Sequence, residues 1–64
     1  MVKERPVVKP KGRYTAVETA EILGIHRNTL LNHAKEGNIR FSVNKRTMRK
    51  YYEGLEILRF WNNS

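Results

Sequence analysis

The chain has 64 residues, no Cys, and a net charge of +7 from 13 Lys or Arg against six acidic residues. Its length fits one domain with a small core, and the lack of Cys excludes disulfides and thiolate metal sites. No run of about 18 apolar residues and no apolar leader is present, so we expect a cytoplasmic protein without membrane contact. The net positive charge predicts polyanionic partners.

Residues 1–13 predict a flexible basic arm, followed by one folded domain over residues 14–64. Pro6 and Pro10 disfavour a helix, and the segment contains too few apolar residues to form a core. Three basic residues of this arm are candidates for contact with a polyanion: Lys9, Lys11 and Arg13.

A first helix is predicted to follow Thr15. Thr15 and Glu18 have the spacing of a capping box, in which each side chain bonds the other residue's backbone N–H. Gly24 is a favourable helix end because glycine adopts the left-handed conformation at low cost. The expected apolar face of this helix consists of Val17, Ala20 and Leu23.

A second helix is predicted over residues 27–36, with Gly37 as its stop. His26 is a poor N-cap by residue type. Leu30 and Ala34 mark the expected buried face. The polar outward face and its flank contain the candidate recognition residues Arg27, Asn28, Leu31, Asn32 and Lys35.

The next segment predicts a two-stranded hairpin. Residues 39–43 alternate apolar and polar, residues 44–47 are turn-forming, and residues 48–52 can return as a strand. Five basic candidates lie in it: Arg40, Lys45, Arg46, Arg49 and Lys50. Such residues can hold phosphates or enter a minor groove, or they can simply protect an exposed strand edge from aggregation.

A last helix is predicted over residues 54–61. Ile57, Leu58 and Trp61 share one face, with Leu55 at its edge and Phe60 outside it. The other aromatic residues are expected mainly in the core, while Phe60 is a candidate partner contact.

The motifs together resemble the MerR-like and excisionase-type winged helix-turn-helix domains. The resemblance is carried by Thr15, by residues 20–25 (Ala-Glu-Ile-Leu-Gly-Ile), by a Thr29–Leu30 core pair and by residues 36–39, with a closing helix like residues 56–61. It departs at His26, where the family usually has a small hydroxyl residue. The resemblance implies DNA binding in recombination or transcription. The sequence also departs from full regulators of this type in lacking their long dimerising helix and effector domain, so we expect no small-molecule effector.

The residues do not predict an enzyme. There is no Asp, no Cys nucleophile and no Gly-rich phosphate loop. His26 and His33 share a helical side, but a suitable third ligand is lacking apart from Glu36, so we expect no metal or other cofactor.

The sequence therefore predicts an α+β fold: a helix-turn-helix, a two-stranded wing and a closing C-terminal helix. The expected function is binding of double-stranded DNA, through an Asn- and Arg-bearing helix that can read base edges in the major groove. A plain solvated helix face is the ordinary explanation of the same residues. The expected partners also include a second copy or an integrase. Two alternatives stay open, a protein-interaction module using the aromatic last helix and an RNA-binding module.

Overall fold

Three helices and a three-stranded antiparallel sheet make up the computed structural model, which describes residues 1–63. The elements in chain order are β1 (Arg13–Tyr14), α1 (Ala16–Leu23), α2 (Arg27–Lys35), β2 (Ser42–Asn44), β3 (Arg49–Glu53) and α3 (Gly54–Asn62). This arrangement is consistent with a small α+β winged helix-turn-helix domain, as predicted. None of the helices in the described part of the chain is long and apolar enough to cross a membrane.

Both ends of α1 follow the local signals in the sequence. The Glu18 N–H donates to Thr15 Oγ1 at 3.1 Å, and the Thr15 N–H donates to Glu18 Oε1 at 3.0 Å. Gly24 ends the helix with a φ of 70°, in the left-handed region that a side chain would strain. The predicted capping box and glycine stop are confirmed.

The start of α2 differs from what the residue type at position 26 suggested. His26 does act as the N-cap, because its Nδ1 accepts a hydrogen bond from the Asn28 N–H at 3.2 Å. An unprotonated ring nitrogen thus takes the place of the hydroxyl or carboxylate oxygen that usually performs this role. The helix ends at Lys35 with Glu36 as its C-cap, one residue earlier than predicted.

The core lies where the three helices meet the buried side of β3. Thr19 is its one buried polar residue among the described residues, and its Oγ1 has no protein partner there. The apolar core consists of Ala20, Leu23, Leu30, Ile39, Tyr52, Ile57, Leu58 and Phe60. Helix α3 contacts both β3 and α1, so it closes the domain as predicted.

The predicted exposed position of Phe60 is wrong. Phe60 is buried, and its ring lies 4.9 Å from the His33 ring in an edge-to-face arrangement. Phe60 lies outside the main apolar stripe of α3, but the His33 ring of α2 packs against that side. Trp61 is only half-buried, and its Nε1 donates to the Val2 carbonyl at 3.0 Å. Phe60 is therefore mainly a core residue, and its remaining accessible edge lines a groove beside His33 and Asn38.

Several other expected core residues lie at the surface. Val17, Phe41, Val43 and Leu55 are exposed, and so is Thr29 of the expected core pair. Strand β2 also begins later than predicted, at Ser42, where it pairs with Tyr51 of β3. The outer hairpin extends past the helices that could cover it, so the alternating pattern there does not produce burial.

A third strand, β1, was not predicted from the sequence. Arg13 pairs with Glu53 and Tyr14 with Tyr52, which places β3 in the middle of the sheet. A two-residue strand is too short to show an alternation of apolar and polar residues, so it is recognised only by its pairing with β3.

The N-terminal segment makes specific bonds to the domain, whereas the sequence predicted a flexible arm. The Val2 N–H donates to the Leu23 carbonyl at 2.9 Å. The Leu55 and Gly54 N–H groups of α3 donate to the carbonyls of Pro10 and Gly12, both at 3.0 Å. A Cβ at Gly54 would overlap the Lys9 carbonyl, so glycine is required for this close approach.

Candidate nucleic-acid interface

Helix α2 presents a polar face to solvent because Leu30 anchors its opposite side in the core. Asn28, Asn32 and Lys35 are exposed on this outward face. Arg27 is exposed in the first turn, and Leu31 is half-buried on the flank. The predicted recognition residues therefore occupy one accessible side of the helix.

An open groove joins this helix to the hairpin, and we refer to it as the helix–wing groove. It has a volume of about 550 Å³. Its cations come from both elements, Arg27 from α2 and Arg49 and Lys50 from β3. The complete lining is Thr15, Ala16, Val17, Arg27, Leu31, Met48, Arg49 and Lys50. The structure thus brings together predicted residues from the second helix and from the wing.

A smaller groove of about 200 Å³ connects β1 to the same hairpin. Arg13 lines it together with Arg49 and Lys50. The Arg13 guanidinium carbon lies 4.8 Å from the centre of the Tyr51 ring, a distance at which the ring attracts the cation. Of the three predicted arm residues, Arg13 is the one that the structure brings to the hairpin cations.

The hairpin turn holds its basic residues on a defined backbone. Asn44 Oδ1 accepts from the Arg46 N–H at 2.9 Å, and the Asn44 carbonyl accepts from the Met48 N–H at 2.7 Å. Lys45, Arg46 and Met48 are all exposed in this turn. The turn therefore projects two cations and one large apolar side chain into solvent.

No ion pair among the described residues neutralises the cations of the two grooves. Among residues 1–63 the ion pair joins Arg59 to Glu56 on α3, at 3.4 Å, away from α2 and the hairpin. No Glu lines either groove in the described part of the chain. A positive surface without internal counter-charges is suited to phosphates.

Three predicted contact residues lie elsewhere. Arg40 lines a different groove, together with Glu53 and Glu56. Lys9 and Lys11 belong to the segment whose carbonyls bond the first turn of α3. Lys9 and Lys11 are separated from the helix–wing groove because nonlocal contacts, which the sequence does not reveal, direct the N-terminal segment to α3.

Sequence reasoning identified Leu31 but missed Val17 and Met48 as residues of the helix–wing groove. The sequence pattern predicts Val17 in the core and Met48 in a strand. Burial raises the pKa of Tyr52 behind this surface, and the charge on Arg27, one of the groove residues, partly opposes that shift. No local signal marks residues that face a groove between separate elements.

The remaining chemistry of the surface is limited. No group of three or more His, Cys, Asp or Glu side chains that could hold a metal occurs within residues 1–63. His33 Nδ1 instead lies 3.1 Å from the side-chain nitrogen of Asn38, and its ring packs on Phe60. The contacts of His33 are thus with neighbouring residues of the fold.

Comparison with known proteins gave a match to a family. A family model described as a helix-turn-helix domain matches residues 13–64. No curated protein and no solved structure matched the chain. The matched region includes all six of the helices and strands described above.

Proposed function

Since this chain belongs to the helix-turn-helix domain family, we propose that it binds double-stranded DNA with α2 in the major groove and the hairpin on the flanking backbone. The observation that carries the proposal is the helix–wing groove. Arg27 of α2 and two cations of β3 line it, and no carboxylate pairs with them among the described residues. An uncompensated positive surface shared by both elements favours a phosphate backbone as ligand.

Base reading is assigned to the outward face of α2. Asn28 and Asn32 are one helical turn apart and exposed, so both can face the same groove. An Asn side chain can make two hydrogen bonds to an adenine edge, and Arg27 can do the same with guanine. Lys35 on the same face would add affinity through a phosphate.

The biological role that we propose is that of an excisionase-like recombination accessory factor or a small transcriptional regulator. A single module of this size buries roughly 600–1,000 Å² on DNA, which supports limited specificity. We therefore propose that it acts with a second copy or with another protein such as an integrase. We propose that the protein binds DNA without catalytic activity and without a small-molecule effector.

A salt titration with a fluorescent 20-base-pair DNA duplex tests the function. We expect log affinity to fall linearly with log salt, with a slope of about 0.9 for each of about four to six phosphates contacted. Replacing Arg46 and Arg49 by Ala should weaken binding to all sequences alike and lower the slope by up to ~2.

The matched control removes two arginines from another surface. Arg5 and Arg59 line a groove beside α3, so the Arg5→Ala and Arg59→Ala double variant should leave the slope nearly unchanged. A flat titration of the wild-type protein would contradict DNA binding. Equal slopes for both double variants would contradict the role of the hairpin. Preference for a hairpin RNA in competition would favour the RNA-binding alternative.

A further inference from the structure

We propose that the helix–wing groove receives one sugar–phosphate strand of the duplex, and that Met48 is a binding residue that selects deoxyribose over ribose. This inference rests on the DNA binding proposed above. A groove between a helix in the major groove and a hairpin on the neighbouring backbone is where the intervening strand must pass. The apolar part of the groove would then contact the sugars of that strand.

Met48 combines high exposure with a backbone conformation that is unusual for its residue type. Its side chain is 76% exposed, and its φ is 58°, in the left-handed region. Glycine or asparagine adopts that region at lower cost than Met. Fold stability therefore does not account for a large apolar side chain at this turn position, whereas contact with a ligand does.

The lining of the groove matches a deoxyribose–phosphate strand. Its lining includes three cations, Arg27, Arg49 and Lys50, and three large apolar side chains, Val17, Leu31 and Met48. Val17 is 51% exposed on the first turn of α1, so this apolar part is open to an incoming ligand. The cations would hold phosphates while the apolar side chains cover the carbon face of a sugar.

Sugar discrimination follows from the three apolar side chains of the groove. A ribose placed against Val17, Leu31 and Met48 would bury its 2′-hydroxyl on side chains that do not hydrogen bond with it. The 2′-hydroxyl is the group by which a protein can distinguish RNA from DNA at one position. A deoxyribose has only carbon and hydrogen at that position.

The first test uses Met48→Asn, which removes the apolar side chain and suits the left-handed backbone. Val7→Asn is the matched control, because Val7 is an equally replaceable apolar residue, 101% exposed, in the N-terminal segment. On a duplex chosen by selection with the wild-type protein, we expect Met48→Asn to lose affinity about tenfold with its salt slope unchanged. The control should bind like the wild-type protein, and both variants should melt at or above its temperature.

The second test locates the contact on the DNA. Hydroxyl radicals cleave DNA by attacking exposed deoxyribose, so the wild-type protein should protect a few consecutive sugars of one strand, and Met48→Asn should expose them. A single ribonucleotide at a protected position should weaken wild-type binding several-fold. The same ribonucleotide should have little effect on Met48→Asn.

The outcomes separate this inference from the function on which it rests. Equal affinity and equal footprints for Met48→Asn and wild type, with salt-sensitive DNA binding intact, would overturn the inference alone. Equal penalties for the ribonucleotide in both proteins would also overturn it. Wild-type protein without salt-sensitive binding to the duplex would overturn the proposed function and this inference together.

Discussion

The helical core and the outer hairpin differ in what their side chains contact. In the core, Leu23, Leu30, Ile57 and the Tyr52 ring are completely buried. In the hairpin, every residue from 45 to 50 is exposed, although backbone bonds fix the turn. The residues that stabilise the fold are therefore different from those that can contact a ligand. Substitutions in the core should lower stability, and substitutions in the hairpin should lower DNA affinity.

The largest effect is expected from Leu30→Ala, which opens a cavity in the core directly behind the recognition face. We expect a loss of ~2 to 5 kcal/mol in the free energy of unfolding, measured by chemical denaturation, because the small domain cannot refill the space. Leu55→Ala is the control, since Leu55 is 52% exposed on α3 and should change little. If both variants lost the same stability, the division between core and surface would be incorrect.

The next effect concerns specificity and should leave stability intact. Asn28→Ala and Asn32→Ala should each lose ~1 to 3 kcal/mol of discrimination at one base pair, while binding to unrelated DNA barely changes. Binding-site selection on the wild type and both variants measures this directly. An identical motif from all three proteins would mean that α2 is not the reader and that DNA shape or the hairpin supplies any preference.

The sequence predicted those parts of the fold that are defined by near neighbours along the chain. The Thr15–Glu18 capping box, the Gly24 helix end and the position of the hairpin depend on residues within a few positions of one another. The two-residue strand β1 and the burial of Phe60 depend on partners 27 or more residues away, at Glu53 and His33. The periodicity of apolar residues does not indicate which distant residues will be in contact.

The candidate site divides in the same way. Helical periodicity alone predicted the outward face of α2, because one buried residue, Leu30, determines which side is exposed. The helix–wing groove was not predictable, since Val17 and Met48 come from α1 and the hairpin turn and meet only in the folded chain. Lys9 and Arg40 show the converse, as predicted contact residues that do not line this groove in the folded chain.

The smallest effect is expected at Tyr52, where the core and the sheet meet. Its ring is completely buried, and its hydroxyl has no hydrogen-bond partner among the described residues. Removing a buried hydroxyl that lacks a partner also removes the cost of desolvating it. Tyr52→Phe should therefore raise the free energy of unfolding at pH 7 by about 1 kcal/mol.

The same variant should alter the alkaline limb of the stability curve. Burial raises the pKa of Tyr52 above 10.0, so the unfolded chain releases this proton at a lower pH than the folded protein. The folded state consequently loses stability as the pH rises above the unfolded value, and Tyr52→Phe should reduce that loss. Urea denaturation at pH 7 and at successive pH values above 10 measures both effects. Lower stability of Tyr52→Phe at pH 7 would instead indicate that the hydroxyl bonds a buried water, and the core would then include a polar site.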